Sequence, residues 1–119
     1  MQDPNNQIEI LTADSPQPGI VVGCIHGEVD LHNSHSLRSR LMDTLRRFSP
    51  KKLILVMREV PYVDSSAIAV LVEVLKELRR TGGKVFLADL QPRVKGLLEI
   101  ARLDSVFVIA ANETEAMSK

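Results

Sequence analysis

The sequence predicts an α/β fold, because strand-like and helix-like segments alternate along most of its 119 residues. Short apolar runs flanked by turn residues indicate buried strands, and apolar residues repeating every three or four positions indicate amphipathic helices. The order is β-β-α-β-α-β-α-β-α, with about four helices. It implies a mixed sheet whose first strand is antiparallel and whose later strands form parallel, right-handed βαβ units. We expect a single domain over residues 1–119.

The chain opens with two strands, over residues 7–11 and 20–25. The second is rich in β-branched residues and is long enough for the interior of a sheet. Residues 14–19, Asp-Ser-Pro-Gln-Pro-Gly, form a turn cluster between them. The pair is therefore expected to be a hairpin.

Helices and strands alternate from residue 30 onward. The first helix has Asn33 or Ser34 as its cap and ends before Pro50. Its apolar stripe consists of Leu37, Leu41, Leu45 and Phe48. A buried strand over 52–57 and a loop over 58–64 precede a second helix from about 66 to 81. Gly82 and Gly83 are expected to end that helix.

The last third of the chain predicts a strand over 84–88, a third helix, a strand over 106–110 and a short final helix. Pro92 stands near the start of the third helix, whose apolar face comprises Val94, Leu97, Leu98 and Ala101. Asn112 and Glu115 have the spacing of a capping box for the final helix. On the second helix, the charged pairs Glu73–Lys76 and Glu77–Arg80 are three residues apart.

Composition excludes several classes of function. Fifteen basic and fifteen acidic residues cancel, which argues against a general nucleic-acid or membrane-surface binder. No apolar run approaches the ~18 residues of a membrane span. The N-terminus has no signal-peptide character, so a cytoplasmic protein is expected. The single Cys24 is interpreted as a small core residue, and no cofactor is expected.

The segment Asp64-Ser65-Ser66 lies between a buried strand and a buried helix. The unpaired N–H groups and the positive dipole end of a helix N-terminus stabilise an anion, including a phosphate ester on a serine. Phosphorylation would add about −1.5 to −2 charges there. The alternative is that Asp64, Ser65 or Ser66 simply caps the helix, as these residue types commonly do.

Four segments together resemble the STAS family, and within it the small anti-sigma factor antagonists. They are Gly27-Glu28-Val29-Asp30, Asp64-Ser65-Ser66, Gly82-Gly83 with the strand that follows, and residues 94–103. The resemblance covers roughly residues 20–117 and includes the same order of elements.

The resemblance implies a binding protein rather than an enzyme. The serine after the aspartate, here Ser65, is expected to be phosphorylated by an anti-sigma factor that is itself an ATP-dependent serine kinase. The unphosphorylated protein would bind that kinase and release the sigma factor, and a phosphatase would restore this state. Asp30 is expected near Ser65, and the partner-binding surface is expected to include Asp30, Asp64, Ser66 and Ala67.

The chain departs from the family pattern in three places. Ala67-Ile68-Ala69 replaces Gly-Leu-Gly, Val56 stands where many members have Asp or Asn, and Ala101-Arg102-Leu103 replaces Thr-Gly-Leu. The methyl groups of Ala67 and Ala69 could obstruct the approach of a partner. An alternative within the same fold is therefore an unphosphorylated accessory subunit or scaffold that binds a transport ATPase or a stress-signalling assembly.

The histidines and the basic residues of the first helix give weaker indications of function. His26, His32 and His35 flank Asp30, but they fall on different elements and no Cys pair accompanies them, so no metal site is predicted. A hydrolase is not favoured, because the chain has no Gly-x-Ser-x-Gly motif. The basic residues on the first helix, interrupted by Asp43, indicate a solvated face, with a docking face for an acidic partner as the alternative.

Overall fold

The computed structural model describes residues 8–10 and 18–119 of the chain. These residues form five strands and four helices, which confirms the predicted α/β class with four helices. The strands are β1 (Ile8–Ile10), β2 (Ile20–His26), β3 (Lys52–Glu59), β4 (Lys84–Ala88) and β5 (Val108–Ala110). The helices are α1 (Ser34–Phe48), α2 (Ser65–Arg80), α3 (Pro92–Ile100) and α4 (Glu113–Ser118).

The strands lie in one sheet in the order β1-β2-β3-β4-β5. β2 to β5 are parallel to one another, and a helix joins each to the next. β1 runs antiparallel to β2, with Ile8 opposite Ile25. Apart from Pro18 and Gly19, the turn predicted over 14–19 lies outside the described residues. Because β2, β3 and β4 are parallel, the loops after them gather at one edge of the sheet, where ligands bind in many α/β proteins.

The sheet separates two apolar clusters, as expected when both faces of parallel strands are covered. The larger cluster joins alternate strand residues to the buried faces of α1, α2 and α3. The smaller cluster lies on the opposite face and includes Ala116 of α4. Its buried members are Ile20, Val22, Ile54, Val56, Phe86, Ala88, Ala110 and Ala116.

Two predicted strand boundaries are wrong. β3 does not end at Met57, since Arg58 and Glu59 continue the strand as exposed residues. The loop predicted from residue 58 is therefore shorter. Glu59 pairs with His26 of β2 in the parallel register, and strand pairing does not require either side chain to be buried. β5 is shorter than predicted, because the N–H groups of Val106 and Phe107 donate to the Leu103 carbonyl before the strand begins.

The helices differ from the prediction in smaller details. α2 begins at Ser65 rather than at about Ser66. Ala101 follows the last turn of α3 and is exposed, whereas Val94 and Leu98 are buried as predicted. Asn112 accepts a hydrogen bond of 2.8 Å from the N–H of Glu115, which confirms Asn112 as the cap of α4.

An ion pair that the sequence did not predict connects α1 to α2. The predicted pair between Glu77 and Arg80 is present at 2.9 Å. Glu73, in contrast, does not pair with Lys76 but binds Nε of Arg38 on α1 at 2.7 Å. Both side chains of this pair are partly exposed, so we expect it to orient the helices more than to stabilise them.

Candidate functional site

The loops after β2 and β3 lie side by side at the carboxyl edge of the sheet. Val29 and Val63 form an isolated parallel bridge beyond the ends of the strands. The N–H of Val29 donates to the Tyr62 carbonyl at 3.0 Å, and the N–H of Asp64 donates to the Val29 carbonyl at 3.1 Å. This pairing brings the Asp30 loop next to the start of α2.

Asp64 is the N-cap of α2 and also holds the neighbouring loop. Its Oδ1 atom accepts from the N–H groups of Ser66 at 2.9 Å and Ala67 at 3.2 Å, which satisfies two of the unpaired donors at the helix start. Its Oδ2 atom accepts from the N–H of Leu31 at 3.0 Å. The Asp64 carboxylate therefore fixes the position of the loop after β2 relative to α2.

These hydrogen bonds favour the ionised form of Asp64. The bond from the Ser66 hydroxyl, together with the bonds from the backbone N–H groups, lowers the pKa of Asp64 below its ordinary value despite the opposing effect of desolvation. The carboxylate is thus charged at neutral pH, next to the positive end of the α2 dipole.

The two serines of the motif have different environments. The Ser66 hydroxyl donates to Oδ1 of Asp64 at 2.5 Å, and its side chain is partly buried. Ser65 is the first residue of α2 and is exposed. Within the described residues its hydroxyl makes no hydrogen bond. Of the two serines, Ser65 is the more exposed, and only the Ser66 hydroxyl is engaged in a hydrogen bond within the described residues.

Asp30 begins the turn that leads into α1. Its Oδ1 atom accepts from the N–H of His32 at 2.9 Å, and its backbone carbonyl accepts from the N–H of Ser34 at 2.8 Å. Asn33, a predicted cap of α1, directs its side chain back to the N–H of Asp30 at 2.9 Å and to the Glu28 carbonyl at 2.8 Å. The side chain of Asp30 remains 34% exposed.

The departures from the family pattern affect the site unequally. Ala67 is only 1% exposed and packs in the larger cluster, so its methyl group is not presented to solvent. Ala69 is exposed, and Ile68 is partly buried. Val56 packs in the smaller cluster, on the face of the sheet away from α2. Of the two added methyl groups, only that of Ala69 is presented to solvent.

Sequence reasoning missed Leu31, which lies in the turn between Asp30 and α1. Its side chain is 76% exposed, although its N–H is bound to Asp64. The sequence signal was a single apolar residue between Asp30 and His32, and such a residue is ordinarily assigned to the core. Only the three-dimensional pairing of the two loops places it beside the motif.

The histidines have separate environments. Nδ1 of His26 lies 2.8 Å from Glu59, Nδ1 of His32 lies 3.7 Å from Asp30, and His35 is exposed on α1. In the described part of the chain, no group of three or more His, Cys, Asp or Glu side chains is arranged to hold a metal ion. None of the helices in that part is long and apolar enough to cross a membrane.

The architecture and the motif belong to a known family. The STAS domain model matches residues 15–116. The chain is therefore a member of the STAS family, as its sequence motifs indicated.

The proteins similar to this chain include two that are named anti-sigma factor antagonists. The anti-sigma F factor antagonist of Paenibacillus polymyxa is 26% identical over 101 residues, which cover 85% of this chain and 86% of that protein. The anti-sigma-B factor antagonist of Bacillus subtilis is 29% identical over 87 residues, which cover 73% and 78%. This chain is thus similar over most of its length to proteins named anti-sigma factor antagonists.

Solved structures share the fold. The crystal structure of the Thermotoga maritima protein TM1081 superposes with a TM-score of 0.83 at 22% identity, covering 97% of this chain and 95% of that chain. The murine anion transporter Slc26a9 gives a TM-score of 0.76 at 17% identity, with 87% of this chain but 18% of the transporter covered. The same fold therefore occurs both alone and as part of a longer protein.

Proposed function

We propose that this protein is an anti-sigma factor antagonist switched by phosphorylation of Ser65. In its unphosphorylated form it binds an anti-sigma factor that is also a serine kinase, and the sigma factor is released. The observation that carries the proposal is the exposed hydroxyl of Ser65 at the start of α2, beside a Ser66 hydroxyl already bonded to Asp64. The names of the two relatives support the class of partner.

The chemistry is a phosphoryl transfer in which this chain is the substrate. The Ser65 oxygen attacks the γ-phosphorus of ATP held by the partner, the bond to the bridging oxygen of ADP breaks, and the hydroxyl proton passes to a base of the partner. The phosphate formed is stabilised by the dipole at the start of α2. A separate phosphatase hydrolyses the ester and regenerates the serine.

The partner is proposed to contact the surface made by the two paired loops. Asp30 and Asp64 contribute carboxylates to it, and the backbone around Ser66 and Ala67 forms its helical border. Because the Ala67 side chain is buried, that residue contributes its position in the helix rather than its methyl group. A phosphate on Ser65 would add charge within this surface, and a bound partner would have to desolvate that charge.

The experiment compares two serines that are adjacent in sequence. The protein is purified from its native cells, with and without phosphatase treatment, and its phosphate is located by intact-mass and peptide-mapping spectrometry. We expect one phosphate on Ser65. The Ser65→Ala variant should lose it, and the matched Ser66→Ala variant should keep it on Ser65.

Two results would contradict the proposal. Phosphate retained in Ser65→Ala would show that another residue is modified. Absence of phosphate from the unchanged protein across growth and stress conditions would favour the alternative of an unphosphorylated accessory subunit or scaffold. In that case a transport or stress-signalling protein is the expected partner.

A further inference from the structure

Leu31 is exposed at a place where several hydrogen bonds hold the backbone. Three large apolar side chains among the described residues are exposed: Leu31 at 76%, Phe48 at 41% and Ile100 at 83%. Phe48 lies against the guanidinium of Arg47, 5.4 Å from the ring centre. Ile100 ends α3, at the opposite edge of the sheet from the paired loops. Single exposed apolar residues are common, so exposure alone distinguishes none of them.

The backbone of the Leu31 turn is fixed on both sides by side-chain hydrogen bonds. The N–H of Leu31 binds Asp64 at 3.0 Å, and the N–H of His32 binds Asp30 at 2.9 Å. The Asn33 side chain accepts from the N–H of Asp30 and donates to the Glu28 carbonyl. A side chain presented by such a turn loses little backbone entropy when a partner binds it.

We propose that Leu31 is the apolar anchor of the partner-binding surface and that it inserts into an apolar pocket of the anti-sigma factor. The inference rests on the function proposed above and adds the chemistry of the contact. The pocket should offer a cation or N–H donors at its rim, since the acidic side chain of Asp30 is 34% exposed beside the anchor. An exposed apolar side chain gains hydrophobic free energy only when such a pocket removes it from water.

The position of Leu31 also explains how a phosphate on Ser65 would act. Asp64 binds the N–H of Leu31 and immediately precedes Ser65 in the chain, so the anchor and the modified serine share one surface. A pocket wall that closes over Leu31 would strip water from a neighbouring phosphate, which is costly without full compensation. Phosphorylation would then release the partner by penalising burial of the anchor, with the fold unchanged.

The test measures the affinity of the purified anti-sigma factor kinase from the same organism for three forms of the full chain by titration calorimetry. Without ATP, Leu31→Ser should weaken binding by about tenfold or more, the effect of removing a central anchor. Ile100→Ser removes a similarly exposed apolar side chain at the other edge and should change affinity less than about twofold. Both variants should keep the thermal midpoint of the unchanged protein, because neither side chain is buried.

A second arm tests the coupling with Ser65. Phosphorylation of Ser65 should weaken binding by a smaller factor in Leu31→Ser than in the unchanged protein, because the pocket no longer closes over an anchor. Equal affinity of Leu31→Ser and Ile100→Ser would contradict the anchor role of Leu31. Equal effects of phosphorylation in Leu31→Ser and in the unchanged protein would contradict the coupling between Leu31 and Ser65. If the unchanged protein does not bind the kinase at all, both the proposed function and the proposed role of Leu31 are contradicted.

Discussion

At the scale of the residue, Asp64 joins the two parts of the candidate site. Its Oδ1 atom serves the start of α2, and its Oδ2 atom serves the Leu31 turn. A carboxylate suits this position because both of its oxygens accept hydrogen bonds, whereas an amide offers one acceptor and one donor group. Capping alone would require only one of these oxygens, and the second holds the neighbouring loop against the motif.

The first prediction at this scale concerns the stability of Asp64→Asn against pH. The folded pKa of Asp64 lies below the reference value of 3.8. The stabilisation from its carboxylate is therefore fully present above the unfolded pKa and is lost as pH falls through the folded pKa. We expect Asp64→Asn to unfold at lower urea concentration than the unchanged protein at pH 7. The difference should shrink progressively as pH falls below about 4.

A matched variant separates this effect from general loss of charge. Asp104 is exposed and, among the described residues, its side chain makes no hydrogen bond or ion pair. Asp104→Asn should therefore follow the unchanged protein at every pH. A difference between Asp64→Asn and the unchanged protein that is constant from pH 7 to pH 3 would show that its charge does not provide the stabilisation.

At the scale of the element, Gly82 and Gly83 end α2 for different reasons. Gly82 has φ +81°, the left-handed conformation that favours glycine after a helix. Gly83 has no such torsion, but a Cβ atom there would lie 2.6 Å from Leu78 Cγ and 2.8 Å from the Pro50 carbonyl oxygen. The sequence identified both as a stop signal, but only the structure shows that the second is required by close packing.

The prediction for these elements compares two glycine-to-alanine substitutions. Gly83→Ala should lower the free energy of unfolding by about 1–3 kcal/mol, since the Pro50 carbonyl cannot move without shifting the start of β3. Gly96 lies inside α3 with nothing within 4 Å of the added Cβ atom. Gly96→Ala should raise stability by about 0.5–1 kcal/mol because alanine is the better helix former. Urea unfolding at pH 7 measures both changes. An unchanged free energy of unfolding in Gly83→Ala would mean that the end of α2 shifts enough to accommodate the added methyl group.

The elements also show what the sequence could and could not provide. The capping-box spacing of Asn112 and Glu115 predicted α4, whereas apolar periodicity predicted α1 and α3, since burial of one face determines which residues recur along it. The apolar pattern placed the end of β3 too early, because Arg58 and Glu59 are polar and β-sheet pairing does not require burial. The Asp64-Ser65-Ser66 motif was readable as a local pattern. The exposed Leu31 and the pair between Arg38 and Glu73 were not, since each depends on segments more than thirty residues apart.

At the scale of the whole molecule, the candidate switch lies outside both apolar clusters. The described core residues lie between the sheet and the helices, and Ser65 is exposed at the edge where the loops gather. A modification of this edge can therefore change what the protein binds while the layers beneath it stay packed. The arrangement separates the surface that is proposed to switch from the interactions that hold the fold together.

The prediction at this scale compares a substitution at the switch with one in the core. Ser65→Asp should change the free energy of unfolding by no more than about 1 kcal/mol, because a negative charge at a helix N-terminus is favourable and opposes the repulsion from Asp64. Ile54→Ala, at a position with 0% exposure, should lower it by about 2–5 kcal/mol. Thermal unfolding followed by circular dichroism measures both, and kinase binding is measured on the same samples.

Thermal stability and kinase affinity should respond differently to the two substitutions. Ser65→Asp is expected to keep its fold and lose affinity for the kinase, whereas Ile54→Ala is expected to lose stability and retain affinity in its folded fraction. A loss of stability in Ser65→Asp as large as that in Ile54→Ala would mean that the charge disrupts the packing of α2 on the sheet. Release of the partner would then follow from local unfolding rather than from a changed surface, and a phosphate on Ser65 would destabilise α2.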